Sequence, residues 1–346
     1  MHVLVTGGAG FIGTYIVETL VGRGDQVRVL DALLPAVHRD REPEFPDSVE
    51  FVRGDVRDPS VVADAMRGVD VVCHQAAMVG RGGAVAESIG YTHINDMGTA
   101  VLLTAMAQTG LGRLVLASSA VVYGEGRYTC AVHGDVSPGP RVAADMDAGV
   151  FDPPCPRCGA RLVPGAVDED GRVDPRNIYG ATKMAQEHLV AAWARETGGS
   201  AAALRYHHVY GPGMRRDSAY SGVTATFRSA AANGTRIRVF EDGAMMRDFV
   251  HVRDVAQANV VALDAAVPGF RAYNVASGSP RTVADLADAI AAATAAPEPE
   301  VTGEYRFDDV RHIVATPARL ARELGWRATV EFADGVKEFA AAPLLP

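Results

Sequence analysis

Apolar runs and helical segments alternate along the first third of the chain. Residues 3–5 form an apolar run that predicts a buried strand, and 11–20 reads as a helix. The strand pattern returns at 27–30, 49–53, 69–73 and 114–117, and the helical one at 59–67 and 91–108. A polar, proline-bearing loop fills the stretch up to residue 47. Such alternation specifies an α/β fold with a doubly wound parallel sheet and ligands at the carboxyl ends of the strands. The pattern breaks between residues 124 and 177, which are rich in Gly, Pro and charge and lack periodicity. They predict a long insertion over one end of the sheet, of the kind that is functional or internally stapled. Beyond it a helix opens at residue 178. Strands are expected at 201–205, 236–240, 247–252 and 273–276, and helices at 224–232, 283–293 and 317–324. Thr282 is a plausible helix cap, and Asp254 precedes another helix of alanines and valines. No internal repeat or low-complexity segment interrupts this order.

The 346 residues suffice for one large domain, or for a nucleotide domain with a smaller companion. A hydrophobic fraction of 48% and a charged fraction of 22% are those of an ordinary globular protein. The net charge of −9 and the lack of a basic run argue against a nucleic-acid partner. The first strand begins at residue 2 or 3, which leaves no room for a signal peptide, and no apolar run would span a membrane. The expectation is a cytoplasmic protein whose four cysteines are not in disulfides.

The first strand runs into Gly7-x-x-Gly10-x-x-Gly13. Gly7 permits a tight turn, Gly10 lets the backbone approach a pyrophosphate, and Gly13 lets the helix pack close to the sheet. The helix N-terminus offers N–H groups to the phosphates. Asp31 ends the second strand, 18 positions after Gly13. A carboxylate there suits the adenosine ribose hydroxyls and repels a 2′-phosphate, so NAD is expected over NADP. Asp55 can accept a hydrogen bond from the adenine amino group, or simply cap the helix at 59–67. The small residues Ala76 and Ala77 let the backbone pass close to the cofactor.

Tyr179 and Lys183 are four apart, on one helical face. Behind a dinucleotide turn and a strand ending in Ser118-Ser119, they read as more than a packing tyrosine beside a surface lysine. A nearby ammonium and a positive nicotinamide ring favour the phenolate, so Tyr179 can serve as a base, with the Ser119 hydroxyl holding the oxygen being deprotonated. Within the insertion, Cys130-x-x-His133 and Cys155-x-x-Cys158-Gly form two ligand pairs that can close a tetrahedral site on Zn²⁺, against the alternative of free thiols in a loop. Cys73 is expected in the core. Arg205, Arg215, Arg216, Arg247, Arg306 and Arg311 suggest an anion site in the C-terminal part, or surface ion pairs. Arg247 and Arg311 are the pair best placed for diphosphate recognition.

The runs TGGAGFIG, GDVRD, HQAA, NDMGT, SSAVVYG, YGATK, RYHHVYGP and RDFVHVRDVA resemble those of the extended short-chain dehydrogenase/reductases, specifically the NAD-dependent nucleotide-sugar epimerase/dehydratase family. The resemblance covers nearly the whole chain. It implies a Rossmann-type sheet with a smaller C-terminal substrate domain. Residues 1–205 would be the NAD-binding part, with the insertion at 125–176. Residues 206–346 would mainly bind substrate, some segments returning to the sheet. It implies a catalytic triad of Ser119, Tyr179 and Lys183, with Ser119 preferred over Ser118 because it lies four residues before Tyr123. The cofactor contacts it implies add Phe11, Ile12, Val56, Ser118 and Val209 to Gly7, Gly10, Gly13, Asp31, Asp55, Ala76, Ala77, Tyr179 and Lys183. Arg247 and Arg311 match residues that grip the substrate diphosphate. A homodimer through the helices at 91–108 and 178–196 is also implied.

Family members that eliminate water or decarboxylate carry acidic residues just after the catalytic hydroxyl, where this chain has Ala120 and Val121. That leaves oxidation and re-reduction at C4. The AAMVG run and the long insertion after Tyr123-Gly-Glu-Gly are most like the dTDP-L-rhamnose 4-epimerase branch and related 4-epimerases. The implied activity is 4-epimerisation of a dTDP- or UDP-linked sugar. A reductase of 4-keto nucleotide sugars that spends NAD(P)H is the second reading, and a non-catalytic NAD-binding protein the third. One departure is His208, which stands where the family usually has an Asn that helps hold the diphosphate. An imidazole can donate to phosphate, or the His207–His208 pair can simply reshape the pocket wall.

Overall fold

The computed structural model describes residues 1–39, 42–80, 85–216, 222–307 and 309–345. Residues 40 and 41 of the expected loop before residue 47 lie outside them.

Seven strands make one parallel sheet: β1 (His2–Thr6), β2 (Gln26–Asp31), β3 (Val49–Arg53), β4 (Val71–His74), β5 (Arg113–Ser119), β6 (Ser200–Tyr206) and β7 (Gly269–Val275). Their order across the sheet is β7-β6-β5-β4-β1-β2-β3. The order reverses between β1 and β4, which opens a crevice at their carboxyl ends. The apolar runs have the composition of strands covered on both faces. Val3, Val5, Val27, Val29 and Cys73 point to one face and pack with Ile16, Val17 and Leu20 of helix α1 (Phe11–Arg23). Leu4, Leu30, Val72 and Leu116 point to the other, against Leu102 and Met106 of α2 (Gly98–Thr109) and Val190 and Trp193 of α3 (Ile178–Thr197). The two-residue period of a strand thus divides one short sequence between two cores.

The helix expected at 91–108 is not uniform. A short α-helix, Ser88–Tyr91, passes into a π-helical segment, Thr92–Met97, before α2 begins. The wider turn accommodates Asn95, whose buried amide accepts from Met78 N (2.7 Å) and donates to Met78 O and Thr182 Oγ1 (both 3.0 Å). The expected strand at 247–252 is split into Met246–Arg247 and Phe249–His251, which pair with different partners. At the break the Asp248 carboxylate accepts from the N–H groups of Ser277 (2.6 Å) and Gly278 (3.0 Å). Asp254 lies inside the helix Val252–Asp264, whose cap is His251.

The insertion holds more order than its composition announces. Arg127–Cys130 is the centre of a three-stranded antiparallel sheet, flanked by Gly134–Val136 and Val163–Gly165. In the C-terminal part, the helices Val223–Ala232, Val283–Thr294 and Phe332–Ala341 enclose a separate core. Thr282 caps the second of these in a reciprocal pair with Asp285. The third, amphipathic in its burial, has no counterpart in the sequence reading. Among the described residues no helix is long and apolar enough to cross a membrane.

Candidate active site

The glycine turn sits at the switch point. Gly7 has φ +69°, and a Cβ there would lie 2.6 Å from Ala76 N on the neighbouring strand end. A Cβ on Gly13 would lie 2.3 Å from Gly7 O. The protein's own packing demands both glycines. Gly10 differs: a Cβ there would meet only Gly7 O, at 3.2 Å, and its backbone is extended at φ −77°. Its bareness suits an occupant of the cavity that begins there. Gly10→Ala, which asks Gly7 O to yield by a few tenths of an ångström, is expected to cost less stability than the same change at Gly7 or Gly13 while weakening NAD binding at least about tenfold, read by calorimetry on the same preparation.

That cavity has a volume of about 460 Å³. Its wall includes Gly7, Gly10, Phe11, Ile12, Gly13, Asp31, Asp55, Val56, Ala76, Ala77, Ser118, Ser119, Tyr179, Lys183, His208 and Val209. At one end the Asp31 carboxylate is held by the N–H groups of Ala9 (3.1 Å) and Leu33 (2.9 Å), with His38 Nε2 at 3.5 Å. Asp55 is gripped by Arg57 through two side-chain contacts of 2.9 and 2.6 Å. It caps no helix; Asp58 performs that task for Pro59–Ala65. The bare helix start, the open Gly10 and the oriented Asp31 together fit a dinucleotide with a free ribose 2′-hydroxyl.

At the other end, β5 delivers Ser119 and the first two turns of α3 deliver Tyr179 and Lys183. Asn177 fixes the start of α3 by accepting from Gly180 N at 2.7 Å. The two serines are told apart by their partners. Ser118 Oγ donates to Glu187 Oε1 at 2.5 Å, where Glu187 also holds Arg205 in a buried bidentate pair of 2.9 and 2.7 Å. The Ser119 hydroxyl instead accepts from Val121 N at 3.4 Å and lies near the Tyr179 phenol, whose ionisation it favours. Lys183 Nζ donates to Ala117 O at 2.9 Å and lies 5.8 Å from the Tyr179 ring centre.

Burial dominates the titration of this group. It pulls the Lys183 ammonium down to about 8, against the opposing carboxylates of Glu187 and Asp96, so the lysine is charged at neutral pH. It pushes the Tyr179 phenol up; the Ser119 hydrogen bond opposes this and Tyr91 adds to it. This differs from the easily ionised phenol expected of the Tyr179–Lys183 pair. In the chain by itself desolvation decides the direction, because the phenolate would be buried away from water. Asp96, beside Lys183, is pushed up by burial to about 6.

His208 lines the cavity, its Nδ1 without a hydrogen-bond partner among the described residues and its ring edge-on to Phe249 at 5.8 Å. Burial, with Arg247 and His207 adding to it, keeps it neutral. Arg247 and Arg311 are not brought to the cavity wall. Arg247 is buried and donates to the carbonyls of Met246 (2.8 Å), Arg311 (3.0 Å) and Val310 (2.7 Å). Arg311 is 1% exposed and spends its guanidinium on Asp152 (2.7 Å), Glu241 (2.8 Å) and Asp242 (2.7 and 2.8 Å). Nor is Arg205 a surface arginine, since it is paired with Glu187 in the core. The wall also contains His38 and Thr224, which no motif pointed to, Gln75 and Tyr206, which lie in quoted motifs without an assigned role, and His207, which was expected to shape the pocket wall. Both ring nitrogens of His207 lack partners among the described residues, and burial pulls its pKa down to about 3. Only the doubled histidine before Val209 hinted at it.

Away from the cavity, Cys130, His133, Cys155 and Cys158 converge, their donor atoms all within 4.8 Å of one another. Cys73 is buried in the core and is separate from this cluster.

The sequence profile of the NAD dependent epimerase/dehydratase family matches residues 3–140 and 159–276. The unmatched piece between them, 141–158, falls in the insertion. The chain is 36% identical to a dTDP-L-rhamnose 4-epimerase of Burkholderia thailandensis, over 97% of this chain and 93% of that one. It is 30% identical to a putative UDP-glucose 4-epimerase of Methanocaldococcus jannaschii, over 97% and 96%. Among solved structures, the Thermus thermophilus UDP-glucose 4-epimerase in complex with NAD superposes with a TM-score of 0.76, at 30% identity and 98% coverage of both chains. MoeE5 in complex with UDP-glucuronic acid and NAD superposes at 0.78, with 28% identity and the same coverage. Sheet order, glycine turn and sequence thus agree, and the chain belongs to the NAD dependent epimerase/dehydratase family, with the Rossmann-type fold of the extended short-chain dehydrogenase/reductases.

Proposed function

We propose that this chain is a nucleotide-sugar 4-epimerase acting on a dTDP- or UDP-linked sugar. The observation that carries the reading is the meeting of Ser119, Tyr179 and Lys183 at the end of a dinucleotide cavity, with Ala120 and Val121 following the serine. NAD, when bound, supplies the acceptor and donor of hydride at C4. Tyr179 takes the C4 hydroxyl proton and later returns it, Ser119 holds the same oxygen, and the Lys183 charge favours the phenolate. The 4-keto sugar turns over in the pocket between the two transfers. No carboxylate directly follows Ser119 to remove a second proton, so elimination is disfavoured. His208 Nδ1 is assigned a hydrogen bond to the substrate diphosphate. Residues 1–205 act in this reading as the NAD-binding part and 206–346 mainly as the substrate part, with β7 returning to the sheet.

The working form is a homodimer joined through α2, α3 and the turns before α2. Its support is the exposed apolar surface there: Ile89 (82%), Met97 (50%) and Leu189 (36%). A structural Zn²⁺ in the insertion is a second, non-reacting group. A cytoplasmic location belongs with it, because thiolate ligands persist in a reducing compartment.

The test is turnover without added cofactor. Purified protein is incubated with a panel of dTDP-, UDP- and GDP-sugars, and the sugar protons are followed by NMR. Appearance of a C4 epimer supports the reading and names the substrate. No conversion, together with stoichiometric NAD(P)H oxidation once a 4-keto sugar is supplied, replaces it with a reductase.

A further inference from the structure

The insertion has almost no core of its own. Its buried apolar cluster consists of Tyr128, Cys130, Cys155 and Leu162, with Val136 against it. Two of these four are cysteines. So small a set is far below what holds a fold of this length together, and small folds of this kind use disulfides or metals instead. The sulfurs are not joined: Cys130 Sγ lies 3.8 Å from Cys158 Sγ, far beyond a disulfide bond of about 2.05 Å.

Cys130 Sγ and Cys155 Sγ each lie 3.6 Å from His133 Nδ1. Zinc bonds of about 2.3 Å to sulfur and about 2.05 Å to nitrogen, at tetrahedral angles, give edges of about 3.8 Å between sulfurs and about 3.6 Å between sulfur and nitrogen. The three separations match the edges of such a tetrahedron. The backbone supports the arrangement. Cys130 ends the central strand of the small sheet, and His133 lies in the turn that leads to its neighbour. Gly159 N donates to Cys155 O, and Cys155 N donates to Ala160 O, both at 2.8 Å, which closes the turn that carries Cys158.

We propose that Cys130, His133, Cys155 and Cys158 bind one Zn²⁺ through three thiolates and an imidazole Nδ1, and that this closed site staples the insertion to the C-terminal part of the chain. With four protein ligands no position is left for water or substrate, so the metal is structural. None of the four residues lines the cavity. The staple acts through Asp152, three residues before Cys155. Its carboxylate accepts from Arg311 Nε (2.7 Å) and His312 Nε2 (3.2 Å). Tyr128, two residues before Cys130, packs on the His312 ring at 6.0 Å. Both arms of the metal site therefore press on the strand His312–Ile313.

The proposal is independent of the reaction and is read by metal content. Protein purified without chelator is analysed by plasma mass spectrometry, and metal-free protein is titrated with Co²⁺ under reducing conditions. The expected results are one zinc per chain, and cobalt absorption with the intense visible bands of a tetrahedral site plus thiolate charge transfer. Cys158→Ser, at an exposed position, should remove the zinc and lower the melting temperature. Cys73→Ala, which alters the core thiol, should keep the metal at one per chain. Metal-free protein that also fails to take up Zn²⁺ or Co²⁺ would overturn the proposal, as would zinc retained in full by Cys158→Ser.

Discussion

Tyr179→Phe is expected to lower kcat about 10³-fold or more while NAD still binds, because one oxygen atom carries the proton transfer and almost none of the cofactor surface. The substitution keeps the ring that packs 6.0 Å from Tyr91 and lies beside Lys183. Stability should change little. The wild-type phenol is held above its ordinary value by burial, so activity should also fall off on the acid side, where the phenolate is scarcest. The Phe variant should lose that pH dependence along with its activity. Stopped-flow single turnover and NAD titration by fluorescence separate the chemical step from binding. A variant with wild-type kcat would remove Tyr179 from the role of base.

Arg311→Met should cost about 3 kcal/mol of stability, at the low end of what breaking a buried ion pair costs. Its partners decide the size. Asp242 and Asp152 are 48% and 29% exposed as side chains and recover much of their hydration when the arginine is lost. Glu241 is 1% exposed and does not, although Arg141 still reaches its other oxygen at 2.5 Å. Arg253→Met is the control: it breaks a pair with Glu338 whose side chains are 51% and 35% exposed, and should cost less than about 1 kcal/mol. Urea denaturation of the two variants measures the contrast. A raised KM for the nucleotide sugar with unchanged stability would instead return Arg311 to the diphosphate.

What the sequence disclosed was what it encodes locally. The glycine turn, Asp31 and the Tyr179–Lys183 spacing are each read within a few residues, and so is the parallel sheet, whose inner strands β1, β4 and β5 are mostly apolar. The Cys-x-x-His and Cys-x-x-Cys pairs are local as well, and the fold brings them together. Arg311 was opaque for the opposite reason. A guanidinium is the same in a substrate site and in a buried network, and its partners Asp152 and Glu241 lie far away in the chain. The small sheet of the insertion was missed because strands of three or four residues show no period. The π-helical turn was missed because its cause, the Asn95 contacts with Met78 and Thr182, is tertiary.

The seventh strand of the sheet has a consequence for synthesis. β6 is flanked by β5 on one side and by β7 on the other, and β7 comes from residues 269–275, long after β6 at 200–206. A nascent chain on the ribosome therefore completes six strands while the outer row of N–H and C=O groups on β6 stays bare. Ala201, Ala202, Ala203 and Leu204, all buried in the finished fold, make that edge adhesive to another such chain. Chains halted between residues 207 and 268 would aggregate through it, and the last quarter of the protein serves the first three as their capping strand.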